Sequence, residues 1–436
     1  MAGAVLYRIY IGLQIAASVV LLPFFLYKCI RRPSFFKKIR QRLGFIADTS
    51  AAGGASPIWI HAASLGELRA AEPIVQKLVR QDPQVPLVLS TVTETGYQLA
   101  RTWPSVRVLY FPWDLPYVTA RLLRRYRPQL IILVETELWP NFLYSARKAG
   151  IPVIMMNGRI SERSMRKYMR VTPLTRYILQ SVRVFLMQSR VDSSRIRQMG
   201  VASEKVYVTG NTKYDREIPY MSRSVRADLW RQLGITEQTY PVLVAGSTHK
   251  GEERWVLEAF LAIRRIFPLA KLILAPRYAE DCAFAVQEAA AQGVELVRRS
   301  TRSPVQETQG VVVDTTGELG FLYGLADIAF VGGSLLPVGG HNILEPAAWG
   351  KAVLTGPYMF HFSEICELFT KRRACMQVAD GEEFVTRCVY AAEHRQWCRQ
   401  MAAEALRIIK ENRGTTDKNI AVVQRVLEAG NDENTI

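Results

Sequence analysis

Little in this sequence invites a metal, a disulfide framework or a dinucleotide fingerprint. Its 436 residues include only six cysteines. Cys29, Cys282, Cys366, Cys375, Cys388 and Cys398 form no CxxC pair and show no metal-type spacing, which argues against structural zinc and fits reduced thiols in a cytoplasmic body. No turn carries the G-x-G-x-x-G spacing of a dinucleotide site, and no D-x-D stands between the strand-like runs. Acidic residues are scarce: 39 face 56 lysines and arginines, for a formal charge of +17. A chain so charged is drawn to anions, whether nucleic acid, an acidic membrane surface or a phosphorylated substrate. Its apolar content of 49% is ample for sizeable cores.

The placement of the charge chooses among those partners. Lys28, Arg31, Arg32, Lys37, Lys38, Arg40 and Arg42 follow an apolar run, and no acidic residue precedes Asp48. A second block from Arg159 to Arg197 opposes ten basic residues to Glu162 and Asp192. Neither block has the aromatic interleaving of a single-strand nucleic-acid groove, so the reading is anionic lipid and no nucleic acid. The apolar run, Leu6 to Tyr27, carries Arg8 as its one charge and tyrosines where interface aromatics sit, and about 20 such residues cross a bilayer. No small-x-small cleavage site follows it, and the positive charge lies on its C-terminal side. The expectation is an uncleaved anchor in the cell inner membrane with the body cytoplasmic, or else a monotopic hydrophobic helix.

Beyond the small-residue stretch Asp48 to Pro57, short apolar runs alternate with helix-length segments: IWIHA (58–62), LVLST (87–91), VRVLY (106–110), LIILVE (130–135), VIMMN (153–157), VFLMQ (184–188) and KVYVTG (205–210). A charged connection at 214–239 interrupts the pattern. It resumes with VLVAGS (242–247), KLILAPR (271–277), VELVR (294–298), GVVVDT (310–315), DIAFVGG (327–333) and AVLTG (352–356). Continuous apolar strands between helices indicate parallel sheets covered on both faces. The predicted α/β fold is therefore two Rossmann-like domains facing a central cleft, where the carboxyl ends of the strands place ligands. The expected divisions are 1–47 for the anchor and basic segment, 48–215 and 216–405 for the two domains, and 406–436 for a C-terminal helix packing back toward the first.

The turns after those strands carry the polar residues. In the second half FVGGSLLPVGGHNILEP is a strand, a turn with Gly332, Gly333, Gly339 and Gly340, and a helix with Asn342 as N-cap and Glu345 three residues on. Exposed amides there suit a phosphate, and Glu345 suits ribose hydroxyls; a glycine-rich βα turn of any α/β protein has the same look. Arg277, after Pro276, is placed for a phosphate or ribose. Gly317, Glu318 and Leu319 turn into a helix whose amides can cradle an anion. In the first half, Glu67 stands at a helix start, suited to a general base or simply to the helix dipole. Of Glu135 and Glu137, one faces the crevice or is solvated beyond the strand; Glu137 equally suits a carboxylate holding the Trp139-Pro140 turn. Lys213 is a point charge for an anion, or an ordinary exposed lysine. His61 reads as a satisfied strand-end histidine.

HAASLGE, ELWPN, GNTKYD and HNILEP, jointly and in this order, resemble the Kdo transferase (WaaA/KdtA) family, which attaches 3-deoxy-D-manno-octulosonic acid (Kdo) to the lipid A precursor. The resemblance covers essentially the whole chain. It implies the GT-B glycosyltransferase fold with an N-terminal membrane-anchor helix, an acceptor domain first and a nucleotide-sugar donor domain second. It implies Glu67 as proton acceptor, Glu137 stabilising the transition state and Lys213 lining the reacting centre. It implies that Pro276, Arg277, Gly317, Glu318, Leu319, Asn342, Ile343, Leu344 and Glu345 contact CMP. Tyr278 departs from the pattern, where many relatives have histidine.

The reaction implied is one inverting displacement: Glu67 deprotonates a sugar hydroxyl of lipid IVA, that oxygen attacks the anomeric carbon of Kdo, and CMP leaves. A phosphomonoester leaving group develops less charge than a diphosphate, so Arg277 and backbone amides suffice, with no metal and no cofactor. The alternatives are another membrane GT-B transferase using a UDP-sugar, a nucleotide-sugar epimerase of the same fold and, outside enzymes, a tethered nucleic-acid binder.

Overall fold

The computed structural model describes residues 2–31, 33–45, 56–217, 220–301 and 308–432. The expected linker at 48–57 falls almost wholly outside them. The chain divides into two compact units, Met1–Arg216 with Asn412–Ile436, and Glu217–Glu411.

In the first unit seven parallel strands form one sheet: β1 (Ile58–His61), β2 (Leu87–Thr91), β3 (Val106–Tyr110), β4 (Leu130–Val134), β5 (Val153–Gly158), β6 (Val184–Met187) and β7 (Val206–Val208). Their order is β3-β2-β1-β4-β5-β6-β7, with β1 in register between β2 and β4. β1, β2, β4 and β5 are buried at every residue, which is why they read as unbroken apolar runs rather than alternating ones. One face packs Trp59, Ile131, Phe142, Met155 and Phe185; the other packs Ile60, Leu68, Ile74 and Ile132 with Ile420, Val423 and Val426 of the last helix, Thr415–Asp432. That helix is tied in at its start: the Asp215 carboxylate accepts from the backbone N–H of Gly414 and Thr416.

The second unit repeats the plan with β8 (Val242–Thr248), β9 (Lys271–Pro276), β10 (Leu296–Arg298), β11 (Gly310–Val312), β12 (Ile328–Val331), β13 (Ala352–Thr355) and β14 (Met376–Gln377), ordered β10-β11-β9-β8-β12-β13-β14. Its core gathers Leu243, Phe260, Leu274, Phe330 and Phe384. Besides an exchange of β10 and β11 at the far edge of the second sheet, the strand order turns between β1 and β4 in the first sheet and between β8 and β12 in the second. Neighbouring loops leave the sheet in opposite directions there and open a crevice at the carboxyl ends.

The N-terminal helix, Ala2–Arg31, is the one described helix long and apolar enough to cross a membrane; its span Ala2–Phe24 has mean hydropathy 1.8. It does not stand clear of the body along its whole length. Tyr7 donates to Asn141 Oδ1 at 2.8 Å, Asn141 Nδ2 donates to Gln14 Oε1 at 2.6 Å, and Gln14 Nε2 donates to the Asp114 carbonyl at 2.6 Å. Val19, Val20, Leu22 and Phe24 are exposed. Part of the basic cluster after the helix is likewise spent internally: Lys38 pairs with Glu94, and Arg42 donates to the Val92 carbonyl.

Candidate active site

The reversal between β1 and β4 collects the expected carboxylates of the first unit. After β1 the chain turns through Ala62 and Ala63, and Ser64 caps the helix Leu65–Gln81. Ser64 Oγ accepts from the Glu67 N–H at 3.4 Å, and its hydroxyl donates to Glu67 Oε1 at 2.9 Å. Glu67 Oε2 accepts from the Ala63 N–H at 2.7 Å. This reciprocal capping box fixes the side chain at the helix entrance. Burial pushes the Glu67 carboxyl up to about 8, helped by the charges of Glu137 and then Glu135, and its own hydrogen bonds offset only part of that.

Both carboxylates of ETELWPN lie near enough to Glu67 to act on its charge, where the sequence asked only that one of them face the crevice or be solvated beyond the strand. Glu135 sits at φ 60, a left-handed conformation that costs a non-glycine residue about 1–3 kcal/mol. Its Oε1 is 2.9 Å from Lys213 Nζ. The Lys213 side chain is only 13% exposed, because the turn Thr212–Asp215 is clamped from both sides. Thr212 donates its hydroxyl to the Ala70 carbonyl at 2.7 Å and its N–H to Asn157 Oδ1 at 3.0 Å. Lys213 is therefore not an ordinary exposed lysine: its ammonium pairs with the Glu135 carboxylate. Glu137 Oε2 accepts from Trp139 Nε1 at 2.7 Å, so it does hold the Trp139-Pro140 turn while facing Glu67. The strand-end His61 is not fully satisfied. Nδ1 lies 3.0 Å from the Ser90 carbonyl oxygen and hydroxyl, but Nε2 is buried with no hydrogen-bond partner, 3.7 Å from Glu137 Oε2.

At the second unit's reversal the glycine turn differs from its expected use. The side chain of Glu252, fully buried, accepts from the backbone N–H of His249 (2.8 Å), Gly333 (2.7 Å), Ser334 (3.0 Å) and Leu335 (2.8 Å). An internal carboxylate thus fills the cradle that the glycines of FVGGS offer to a phosphate. Gly332 has no room for a side chain, since a Cβ would lie 2.6 Å from the Ser247 carbonyl oxygen. The helix after HN also starts later than expected. It runs Leu344–Ala348 with Ile343 at the cap position, and Asn342 Oδ1 accepts from the Leu344 N–H at 3.1 Å. Asn342 therefore closes a local turn; five helical residues carry little macrodipole, and any anion held there is held by individual amides. Ile343 and Leu344 are buried and offer a ligand only backbone. Glu345 is half-buried in the first turn of that helix, close enough to add to the burial that raises the Tyr323 hydroxyl.

Pro276 ends β9, and Arg277 follows with its N–H on the Thr248 carbonyl at 2.8 Å. Gly317 takes φ 89, a Cβ there would meet nothing within 4 Å, and Glu318 and Leu319 lead into the helix Leu319–Leu322. The Glu318 carboxylate accepts from Arg299 Nε at 3.1 Å, leaving the backbone of this turn as its contribution to a ligand. Sequence reasoning missed a histidine pair. His249 Nε2 and His341 Nε2 are 2.9 Å apart, their rings nearly parallel at 6°. Burial, then His249, Arg277 and His361, push His341 down to about 4. Burial lowers His249 too, with Arg277 adding to it against Glu252 and Asp281. The pair is neutral at pH 7 and shares one N–H beside the Arg277 guanidinium. His249 directly after β8 was the available signal, but the two histidines are 92 positions apart in the chain.

A model of the 3-deoxy-D-manno-octulosonic-acid transferase (kdotransferase) family matches residues 37–216. A 3-deoxy-D-manno-octulosonic acid transferase of Haemophilus influenzae is 31% identical over 427 residues, spanning 96% of this chain and 98% of the relative. This chain belongs to the Kdo transferase family. It is thereby a glycosyltransferase, and solved structures agree on the fold of such a Kdo transferase. Anabaena HepE, in complex with UDP and glucose, shares 15% identity at a TM-score of 0.55 over 85% of this chain and 99% of its own. A putative UDP-N-acetylglucosamine 2-epimerase from Listeria monocytogenes shares 10% at 0.56, over 86% and 98%. The Anabaena protein and the epimerase are alike in fold at such low identity, so it is the full-length sequence match that makes this chain a Kdo transferase.

Proposed function

We propose that this Kdo transferase moves Kdo from CMP-Kdo to a sugar hydroxyl of the lipid A precursor, lipid IVA, at the cytoplasmic face of the inner membrane, in lipopolysaccharide core synthesis. The observation that carries the reading is Glu67: a half-buried carboxyl at the β1/β4 reversal, pushed up to about 8 and held by Ala63 and Ser64. A carboxylate with so high an affinity for protons is a competent acceptor for an alcohol proton near neutral pH. Glu67 takes the proton, the acceptor oxygen forms its bond to the anomeric carbon of Kdo, and the bond to the CMP phosphate oxygen breaks. Glu137, fixed by Trp139, places negative charge where an oxocarbenium-like centre develops. Lys213 neutralises Glu135 and keeps the cluster from repelling the anionic donor.

CMP is assigned to the second unit. Arg277 supplies charge, Pro276 and the backbone of Gly317, Glu318 and Leu319 supply shape and amides, and Asn342, Ile343, Leu344 and Glu345 take the ribose and base. The acceptor is a phosphorylated, acylated disaccharide, which suits a basic chain with an apolar N-terminal helix. Membrane attachment is assigned to that helix together with anionic lipid.

The test is incubation of the purified full chain with lipid IVA and a CMP-Kdo source, without added metal, followed by mass spectrometry of the lipid. A mass increase of one or more Kdo units is expected. A lipid left unmodified while a UDP-sugar is consumed would replace this reading with the UDP-dependent transferase or epimerase.

A further inference from the structure

The acidic residue that ends GNTKYD has no part in the reaction above. Asp215 closes the turn Thr212–Asp215, two residues after Lys213 and one before Arg216, where the continuous part of the first unit stops; the chain re-enters that unit at Asn412. The end of a unit frays unless something ties it down, and Lys213 stands three residues from this one. The tie is Asp215. Its Oδ1 accepts from the Gly414 N–H at 2.7 Å and its Oδ2 from the Thr416 N–H. Both amides belong to the opening of the helix Thr415–Asp432, whose first N–H groups and positive dipole end favour a carboxylate. On the other side of Lys213 the Thr415 hydroxyl donates to the Thr209 carbonyl at 3.2 Å, and the approach is so close that a Cβ on Gly210 would lie 2.4 Å from Thr415 Oγ1. The returning chain thus grips the outgoing one before and after the lysine.

The gripping helix is itself fastened to the helix that Glu67 opens. Ile420 and Val423 share a core with Leu68, Ala71 and Ile74 of Leu65–Gln81, Asp417 pairs with Lys77 at 3.0 Å, and the Thr212 hydroxyl reaches the Ala70 carbonyl at 2.7 Å. Glu67 and the Lys213–Glu135 pair are therefore built on one frame, and the C-terminal helix is a member of it. We infer that Asp215 is a positioning residue for Lys213, acting from the start of the C-terminal helix as its fixed point. The inference rests on Lys213 serving the proposed reaction. Without the Asp215 carboxylate, Asn157 and Asn211 still hold the N–H groups of Thr212 and Lys213, but the far side of the turn is released and the ammonium is no longer kept against Glu135 Oε1.

The test reads the lysine directly and then through turnover. Full-length protein in detergent is pulsed with acetic anhydride, and acetylation of Lys213 is followed by mass spectrometry, with amide hydrogen exchange measured over residues 206–216. In Asp215→Ala, Lys213 should acetylate several times faster and protection of this segment should fall, with β1 and β4 unchanged. Turnover should drop about 10- to 100-fold with KM for the donor unchanged, and Asp215→Asn, which keeps an oxygen acceptor, should recover part of it. Lys213→Ala sets the ceiling: the double variant should lose no more kcat than Lys213→Ala alone, whereas a merely structural Asp215 would add its own loss. Unchanged Lys213 acetylation in folded Asp215→Ala, or additive losses, overturns the inference. Should Asp215→Ala not fold, Thr415→Ala, which deletes the hydroxyl on the Thr209 carbonyl, is read in the same way. A wild-type protein that transfers no Kdo would sink the proposed reaction, while acetylation and exchange would still report whether Asp215 fixes Lys213.

Discussion

Glu67 and Glu252 hold corresponding places in the two units. Each belongs to the segment that follows the strand at its sheet's reversal, β1 or β8, and each has its carboxylate turned back onto that loop. Their surroundings differ in donors. Glu252 receives four backbone N–H bonds from two segments of its unit and works as a strut that fixes the glycine turn. Glu67 receives one backbone N–H and one hydroxyl and faces two further carboxylates, so its proton is held up to about pH 8. The same backbone plan makes a strut or, in the reaction proposed above, a base, according to how many donors meet the carboxylate oxygen atoms.

The sharpest way to break the comparison is to remove the base. Glu67→Gln keeps size and much of the cap, and kcat should fall by about 100-fold or more while CMP affinity stays the same. A stable variant keeping over about a tenth of wild-type turnover would end Glu67's claim to be an essential base. Removing the strut should have the opposite signature. Glu252→Ala leaves four amides without their acceptor, those of Gly333 and Ser334 fully buried, and the second unit should lose about 3 kcal/mol or more in denaturant unfolding, with CMP affinity falling alongside. Glu345→Ala should weaken CMP binding by about 1.5–3 kcal/mol in calorimetry, with the melting temperature little changed; undiminished affinity would remove the ribose contact. The wild-type pH profile separates the two carboxylates without mutation. A base must be ionised, so kcat rises as pH climbs through about 8 and levels off above it; a rise centred near pH 4 would mean that burial of Glu67 has been overstated. The smallest effect is expected from Tyr7→Phe, which deletes the hydrogen bond to Asn141 and should cost about 1 kcal/mol of stability.

Much of this was legible in the sequence because parallel strands buried on both faces announce themselves as unbroken apolar runs. Thirteen such runs were read, and the strands they mark differ mainly at their ends. KVYVTG contracts to Val206–Val208 and VELVR to Leu296–Arg298, while Met376–Gln377 is too short to give a pattern. The first-turn position of Glu67 follows from Ser64 capping, a local event. What stayed hidden is non-local. Lys213 finds Glu135 across 78 positions, and Glu252 reaches Gly333 across 81. An acidic residue three places after a histidine gives no sign that distant amides will converge on it. The glycine turn was read as an empty anion cradle for that reason, since sequence shows the donors and not the acceptor that reaches them first. His61 was read as satisfied because a strand-end position says nothing about which atom faces each ring nitrogen.

Asn141 links the N-terminal helix to chemistry in another sense. Its side chain grips Tyr7 and Gln14, its backbone N–H is held by Asp114 at 3.1 Å, and it stands four residues beyond Glu137 in the same short turn and helix. The N-terminal helix and the segment that carries Glu137 thus share one anchoring residue, so a shift of either element has to be absorbed at Asn141.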